Sequence, residues 1–503
     1  MMKQRSLKFN FAMNSILTMS SFIFPLITFP YVSRILLPVG TGKVAFATSL
    51  ISYFTMFAQL GIPMYGIRAC ARVRDDREKL TQTVQELLLI NLLMCVLSYT
   101  VLAVVLVRIP KFSEDRLLYI VVSANILLNA LGMEWLYKAV EQYAYITFRS
   151  IVFKLLSLVA MILLIHEQKD YVLYGGITVL AGSASYICNF LNVGKYIDLK
   201  PVGNYRLKRH LKAVGVFFAM SCATTVYTHL DTIMLGLMTS DADVGYYNAA
   251  VKIRTVLLSI ITSVGTVLLP RVSYYIEQGR KDEFKRVSRK ALHLIILMSL
   301  PLTIYFIMYA KAGISFLSGR AFENAIVPMR IIMPTILLVG ITNVTGIQIL
   351  IPQGREKVVL YSEIAGAIID LGLNMILIPR FASAGAALGT LAAEIVVLLV
   401  QFAALGREAL SIAGSIPYFK VICATILGSI VSTAGCFALG TVFENVIAIQ
   451  FELGYFIEMV ISAVLFFGVY LFCLLWMKEP LAEEIKDTVI SQIFVRGRRK
   501  WMD

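Results

Sequence analysis

Long apolar runs alternate with short polar segments along the whole chain. About fourteen of these runs approach or exceed 20 residues, the length that a helix rising about 1.5 Å per residue needs to cross about 30 Å of hydrocarbon. The predicted spans are residues 10–36, 44–63, 84–107, 117–137, 150–166, 171–193, 213–237, 247–269, 291–309, 326–350, 358–378, 384–405, 421–443 and 455–476. The pattern therefore predicts an all-α integral membrane protein.

The chain also repeats its own pattern. Residues 135–178 align without a gap on the segment that begins at residue 348, so that Gly176 falls on Gly389. Repeats of this kind are typical of secondary transporters, in which two lobes rock around a substrate held between them. We therefore expect two six-helix lobes around a central cavity, residues 1–210 and 211–406, followed by two further helices and a cytoplasmic tail in residues 407–503.

Composition and charge agree with a membrane protein. Apolar residues make up 58% of the chain, charged residues only 15%, and the mean hydropathy is +0.77, which excludes an ordinary soluble protein. Lys and Arg concentrate in alternate connections, including residues 66–79, 194–212 and 271–290, so both termini are expected to be cytoplasmic. This asymmetry accounts for the net charge of +15 through topology and attraction to membrane lipids, and no nucleic-acid partner is expected.

Residues that could hold a metal or cofactor are scattered. None of the seven cysteines has a CxxC partner, so we expect neither a disulfide nor a metal site, and no cofactor is predicted. No Walker motif is present, so ATP hydrolysis is not expected to drive transport. His210 and His293 flank basic loops and are expected to be solvated or interfacial, whereas His229 lies within a span and is expected to be structural.

Polar residues form stripes along four predicted spans. Their spacing of three or four residues places each set on one helical face, which must meet protein or water rather than lipid. Two readings stay open: a hydrated substrate cavity, or close helix packing through small hydroxyl residues. The stripes are Asn14, Thr18, Ser21, Pro25 and Thr28 in span 1; Thr48, Ser52, Thr55 and Gln59 in span 2; Ser221, Thr224, Thr228 and Asp231 in span 7; and Lys252, Thr255, Ser259, Thr262 and Thr266 in span 8.

Charged residues within the spans are costly in lipid and indicate function or an internal partner. Asp370 and Glu394 lie near mid-membrane, where either an ion or proton site or an internal polar pair is expected. Lys154 and Arg254 are expected to extend to the nearby membrane surfaces. Arg34 either faces the cavity or extends to the outer headgroups.

Two prolines, Pro25 and Pro30, interrupt the first span. Each removes a backbone donor and pushes against the preceding turn, so we expect a kink there. The kink is either a hinge that bends as the lobes rock or a fixed feature that shapes the cavity.

The stretch PYVSRILLPVGTGKVAFATSLISYFTMFAQLGIPMYGIR, residues 30–68, resembles the opening signature of bacterial polysaccharide-transporter flippases. These belong to the multidrug/oligosaccharidyl-lipid/polysaccharide exporter superfamily. One departure is Leu37-Pro38, where the family usually has a glycine after the leucine. The residues that match are Pro30, Tyr31, Arg34, Leu36, Gly42, Phe46, Ser49, Tyr53, Gly61, Ile62, Pro63, Tyr65, Gly66 and Arg68.

The resemblance implies a flippase that moves polyprenyl-pyrophosphate-linked oligosaccharides from the inner to the outer leaflet of the bacterial plasma membrane. Its partners would be this lipid-linked substrate, membrane lipids, and the polymerase and export machinery of O-antigen, capsule or exopolysaccharide synthesis. Hydroxyl stripes suit a glycan, and Arg34 and Lys252 suit its pyrophosphate, with Asp231 beside them.

Three other functions stay open. A flippase for the peptidoglycan lipid precursor would share every feature above. A multidrug or cation antiporter would be expected to carry an acidic residue in span 1, and residues 10–36 contain no Asp or Glu. A glycan polymerase or ligase would be expected to present a large outer loop with catalytic groups, and no predicted outer connection is long enough, so the chain is not expected to be an enzyme.

Overall fold

A computed structural model describes residues 7–414 and 416–487, and every regular element in these ranges is helical. The first ten helices are α1 (Leu7–Gln59), α2 (Ile62–Ala71), α3 (Arg77–Arg108), α4 (Arg116–Gly132), α5 (Glu134–Ala139), α6 (Tyr143–Leu164), α7 (Tyr171–Val179), α8 (Tyr186–Asn192), α9 (Lys208–Met238) and α10 (Asp241–Glu277). The others are α11 (Lys281–Met308), α12 (Ala310–Ser318), α13 (Ile326–Ile332), α14 (Thr335–Thr342), α15 (Glu356–Leu405), α16 (Arg407–Ala413), α17 (Tyr418–Ala438), α18 (Gly440–Ile449) and α19 (Phe451–Trp476). The predicted all-α class is confirmed.

The chain forms two compact units, Met1–Asn248 and Ala249–Asp503, and the boundary lies within α10. In the first unit, α2, α3 and α5 pack around Ile62, Leu87 and Leu136, all fully buried. In the second, aromatic side chains of α11 and α19 form a core in which the Tyr305 ring lies edge-on to Phe466, with the ring centroids 5.5 Å apart. The division of the sequence into lobes at residues 210 and 406 stays a prediction.

Helix α15 reverses direction at Ala382, whose φ of 46° breaks the helix. Residues on its two sides lie opposite each other: Gln401 Nε2 donates to Ser362 Oγ at 3.2 Å, and Gly389 lies against Asn374. Residues 356–381 and 383–405 therefore form a tight antiparallel hairpin, which corresponds to the predicted spans 11 and 12.

Helix α1 reverses in the same way at Leu37, where φ is 58°. The part before the break runs parallel to α6, because Met13 accepts from Thr147 and Ile165 accepts from Tyr31, both at 2.9 Å. The part after the break runs parallel to α4, since Lys43 donates to Asp115 at 3.0 Å and Gln59 donates to Asn129 at 3.2 Å.

Helices α4 and α6 themselves run in opposite directions. Tyr171, just beyond the end of α6, donates to Asp115 at the start of α4 at 2.7 Å. The two parts of α1 are therefore antiparallel, and span 1 turns into span 2 within about one residue instead of through the predicted loop.

Eleven helical segments of the described chain are long and apolar enough to cross a membrane. Two of them contain the reversals just described and so cross twice, and the 37-residue α10, which is not among the eleven, is also long enough to span. Together, the described segments provide the number of crossings that the sequence predicts, about fourteen. Several helices begin before their predicted spans; α6, for example, begins at Tyr143 rather than at residue 150.

The reversal of α1 depends on close backbone contacts. A Cβ placed on Gly245 would lie 2.1 Å from the carbonyl oxygen of Pro38, and one on Gly42 would lie 1.7 Å from that of Asp241. Only glycine allows the start of α10 to pack so closely on this turn. Leu37, in contrast, adopts the left-handed conformation that favours glycine, at the point where the resemblance noted above would place one.

Candidate functional site

A cavity of about 470 Å³ opens within the first unit. The second part of α1, α4, α7 with the π-helical turn that follows it, and α9 form its walls. Its lining residues are Thr48, Ile51, Ser52, Thr55, Met56, Gln59, Gly61, Pro63, Asn125, Asn129, Thr178, Gly182, Ser183, Ser221, Thr225 and His229. Ten of these sixteen residues carry a hydroxyl or amide side chain, and His229 is the only titratable residue among the described lining residues.

The amides of the cavity form a chain across three predicted spans. Gln59 Nε2 donates to Asn129 Oδ1 at 3.2 Å, and Asn129 Nδ2 donates to Ser183 Oγ at 3.1 Å. The hydroxyls of Ser52 and Thr55 instead donate to backbone carbonyls one turn earlier in their own helix, both at 2.8 Å. Each such hydroxyl keeps its oxygen available to accept a hydrogen bond from a ligand.

The cavity contains part of the predicted site. Ser52 and Gln59 line it, together with Thr48, Thr55 and Ser221 of the same stripes. Sequence reasoning missed the contribution of spans 4 and 6, although the four-residue spacing of Asn125 and Asn129 places both amides on one helical face. It also assigned His229 a structural role only. The ring of His229 lines the cavity, and its Nδ1 lies 3.2 Å from Ser49 Oγ.

Other predicted site residues lie outside this cavity. The side chains of Thr18, Ser21 and Thr28 donate to carbonyls of their own helix at 2.9, 3.1 and 2.9 Å, and Asn14 is exposed nearby. The hydroxyls of three more stripe residues do the same in their helices: Thr228, Thr255 and Ser259. The side chain of Thr266 lies outside the described residues. The roles of these residues in substrate binding stay predictions.

Arg34 lies near the end of the first crossing, three residues before the reversal. Its guanidinium is half-buried and donates to the carbonyl oxygen of Pro30. Asp231, on α9, is buried and accepts a hydrogen bond from the hydroxyl of Tyr247 on α10. A membrane-buried carboxylate is thus held by a neutral donor from the helix that packs on the α1 turn.

The second unit contains a buried ion pair whose two residues the sequence analysis had not linked. Arg254 Nη2 lies 3.2 Å from Glu394 Oε1, and Arg254 Nε donates to Thr335 Oγ1 at 2.6 Å. The expectation that Arg254 extends to the outer surface is therefore wrong, because its guanidinium turns inward to a carboxylate and a hydroxyl. Glu394 was expected to form either an ion or proton site or an internal polar pair, and the structure shows the pair.

Asp370 is buried in the α15 hairpin. It accepts from Asn374 Nδ2 at 3.2 Å, one turn further along the helix. Gly389, on the other arm, is tightly packed against both: a Cβ there would lie 2.2 Å from Asn374 Oδ1 and 2.8 Å from Asp370 Oδ1. The hairpin thus gathers several oxygen atoms near a buried carboxylate. Lys252 is half-buried on α10.

Two buried Glu–His pairs lie near those ends of the predicted spans that are expected to be cytoplasmic. Glu86 is fully buried and accepts from Arg209 Nε at 2.8 Å, with His210 Nε2 at 2.7 Å. His293 Nε2 lies 2.8 Å from Glu479 Oε1. A solvated position is wrong for both His210 and His293, because each ring is buried against a carboxylate that lies far away in sequence. An interfacial position stays a prediction.

Hydrogen bonding to Glu479 changes its acidity. Burial raises the pKa of this carboxyl, but the contact with His293 and the backbone N–H of Ala482, which donates at 2.7 Å, outweigh burial and hold the pKa below its ordinary value. Within the described part of the chain no three His, Cys, Asp or Glu side chains gather as metal ligands, and the seven cysteines are free.

Comparison with known proteins places the chain in a family. The family model described as "Polysaccharide biosynthesis protein" matches residues 7–276, more than half of the chain, and the model named MatE matches residues 217–376. A relative from Escherichia coli (strain K12), named "Putative O-antigen transporter", is 23% identical over 405 residues, which cover 79% of this chain and 96% of the relative.

Two solved structures share the fold. The structure of "Lipid II flippase MurJ, inward closed conformation" matches with a TM-score of 0.68 at 15% identity, covering 92% of this chain and 99% of that one. An inward-facing multidrug resistance MATE family transporter of the MOP superfamily matches with a TM-score of 0.59 at 14% identity, covering 80% and 98%. The chain belongs to the family described as polysaccharide biosynthesis proteins.

Proposed function

We propose that this protein moves polyprenyl-pyrophosphate-linked oligosaccharide repeat units from the inner to the outer leaflet of the bacterial plasma membrane. The units would supply the synthesis of a surface polysaccharide such as O-antigen, capsule or exopolysaccharide. The observation that carries the proposal is the hydroxyl- and amide-lined cavity of the first unit. The family of the chain supports the same class of function.

The cavity chemistry favours a sugar headgroup. Serine, threonine, asparagine and glutamine side chains can each donate and accept, as sugar hydroxyls do, so one lining can satisfy many headgroup orientations. A cationic drug would be better held by a carboxylate, and none is found among the described residues that line the cavity. This difference favours the glycan flippase over the multidrug antiporter.

Arg34, Lys252 and Asp231 would handle the pyrophosphate. The planar fork of Arg34 suits a phosphate, and Lys252 would add a point charge. Asp231 would neutralise the arginine when no substrate is bound, so that the cation is never left alone in a dry site. In this scheme the two lobes alternate between inward and outward access, and the first helix bends at Pro25 and Pro30 as they do so.

The second unit would couple transport to an ion gradient. Asp370 and Glu394 are the candidates for a proton or cation site: Asp370 lies 3.2 Å from the amide of Asn374, and Glu394 lies 3.2 Å from Arg254. We place the protein in the inner membrane with both termini cytoplasmic, as a transporter rather than an enzyme. Its partners would be the lipid-linked substrate, membrane lipids, and the polysaccharide polymerase and export machinery.

Transport by purified protein in liposomes tests the proposal. Lipid-linked oligosaccharide should reach the opposite leaflet faster than in empty liposomes, and the rate should respond to a proton or sodium gradient. The peptidoglycan lipid precursor and a cationic dye serve as competing substrates. Preference for either one over the glycan would show that this function is wrong.

A matched pair of threonines tests the role of the cavity. Thr55 lines it and Thr100 lies exposed on α3, and each donates to the carbonyl one turn earlier, at 2.8 and 2.9 Å. Replacing Thr55 by valine keeps its shape and removes one hydrogen-bonding group from the path, so transport should slow. Thr100→Val should leave transport unchanged. Equal rates in both variants would remove the cavity from the substrate path.

A further inference from the structure

A lysine lies halfway along a membrane-spanning helix of the first unit. Helix α6 has 22 residues and is therefore about 33 Å long, and Lys154 is its twelfth residue. Either end of the helix is about 16 Å away along its axis. The expectation that Lys154 extends to the cytoplasmic surface is wrong, because its ammonium group turns to two side chains of the neighbouring helix α1.

Two serine hydroxyls of α1 hold the ammonium group. Lys154 Nζ donates to Ser20 Oγ and Ser21 Oγ, both at 2.8 Å. Each serine donates in turn to the carbonyl oxygen of Leu17, at 2.7 and 3.1 Å. Among the described residues no carboxylate lies within ion-pair distance of Lys154. An ammonium group has three donors, so one stays available for a ligand.

An apolar groove of about 360 Å³ runs beside this group, between α1 and α6. Apart from Ser20 and Lys154 its lining is entirely apolar, and much of the lining is exposed: 59% for Met19 and 57% for Leu155. The other lining residues are Ile16, Ile23, Phe24, Ile27, Ile151 and Leu158. Groove and lysine together fit a ligand that joins a long apolar chain to an anion.

The depth of Lys154 in the bilayer indicates which kind of lipid could bind there. Phosphates of resident phospholipids stay at the interface with water, roughly 15 Å from the centre of the hydrocarbon. Only a lipid that is being moved across the bilayer brings its phosphate to the level of Lys154. A permanent carboxylate partner would compete with that phosphate, whereas two neutral hydroxyls lower the cost of the buried cation and leave its charge available.

We propose that Lys154, Ser20 and Ser21 form a mid-membrane contact for the diphosphate of the polyprenyl carrier, and that the groove holds the adjoining isoprene units. This proposal rests on the proposed function and adds a second phosphate contact, in addition to Arg34, which lies on α1 beyond Ser20 and Ser21. Substrate would pass from one cation to the other as it crosses.

Binding to the purified protein in phosphatidylcholine nanodiscs tests the site. The probes are farnesyl diphosphate, farnesol and inorganic pyrophosphate. Lys154→Gln should weaken farnesyl diphosphate binding by about tenfold or more, which is the typical worth of a hydrogen bond to a charged group. Farnesol binding should not change, and Lys154→Arg should keep most of the affinity. Pyrophosphate alone should bind far more weakly than farnesyl diphosphate.

Two further variants serve as controls. Lys169→Gln removes one positive charge from an exposed position of the same unit and should have no effect. Leu155→Trp fills the groove and should weaken both farnesyl probes. Unchanged farnesyl diphosphate binding in Lys154→Gln would overturn the proposal. So would an equal loss of farnesol binding, or equal competition by phosphatidylglycerol, which would identify a resident lipid as the occupant.

Transport measurements separate this proposal from the proposed function. If the unmodified protein does not move lipid-linked oligosaccharide, the proposed function fails. If it does, and Lys154→Gln moves it at the same rate and with normal folding, only the mid-membrane contact is wrong.

Discussion

Breaking the buried ion pair of the second unit should strongly destabilise the protein. The side chains of Arg254 and Glu394 are only 15% and 5% exposed, and their charged atoms lie 3.2 Å apart. Replacing Glu394 by alanine leaves the guanidinium with the neutral hydroxyl of Thr335 as its partner among the described side chains. Stranding a buried charge in this way typically costs about 3–5 kcal/mol of the free energy of unfolding.

Removing both charges should restore most of that stability. In Arg254→Met combined with Glu394→Leu no charge is left unpaired, and apolar side chains replace the pair, so we expect a loss of no more than about 1–2 kcal/mol. The exposed pair of Arg280 and Glu283 offers a matched control: their side chains are 48% and 41% exposed, so Glu283→Ala should cost under about 1 kcal/mol.

Unfolding of the purified variants in mixed micelles, followed by circular dichroism against denaturing detergent, measures these differences. Transport in liposomes with and without an ion gradient then separates the two roles of Glu394. If the carboxylate is only structural, the stable double variant keeps its response to the gradient. The reasoning is refuted if Glu394→Ala costs no more than Glu283→Ala, or if the double variant is as unstable as the single one.

Three other outcomes follow from the structure. Arg34→Ala should abolish transport at normal protein levels and Arg34→Lys should recover part of it; full transport by the alanine variant would leave only an interaction with headgroups. Gly245→Val places side-chain atoms against the Pro38 carbonyl and should cost about 1–3 kcal/mol or more in unfolding free energy, so unchanged stability would contradict the tight packing. Because the folded pKa of Glu479 is depressed, its stabilisation is present at neutral pH and is lost as the pH falls below about 4.3. Glu479→Gln should therefore weaken the fall of the melting temperature at acidic pH. An unchanged fall would exclude the contact with His293 as its cause.

Much of the architecture was determined by the sequence itself. The length of each apolar run fixes the number of spans, because the hydrocarbon has a fixed thickness and every backbone polar group within it must be satisfied inside a helix. The stretch of residues 30–68 carried the family resemblance, which is now confirmed. The spacing of Ser52 and Gln59 placed one wall of the cavity on a single helical face.

The partners of the charged residues were decided only by the tertiary structure. Glu86 meets His210 across 124 positions and Arg254 meets Glu394 across 140, distances over which no local pattern extends. Helix boundaries differ from the predicted spans for the same reason. Arg149 lies just outside the predicted span 150–166, yet it is buried in the structure: it pairs with Glu134 at 3.0 Å and donates to the carbonyl of Ser185 at 2.9 Å, so α6 can begin before it. That shift brings Lys154 to mid-membrane, because the depth of a residue depends on where its helix enters the bilayer, and the neighbouring helices determine that point.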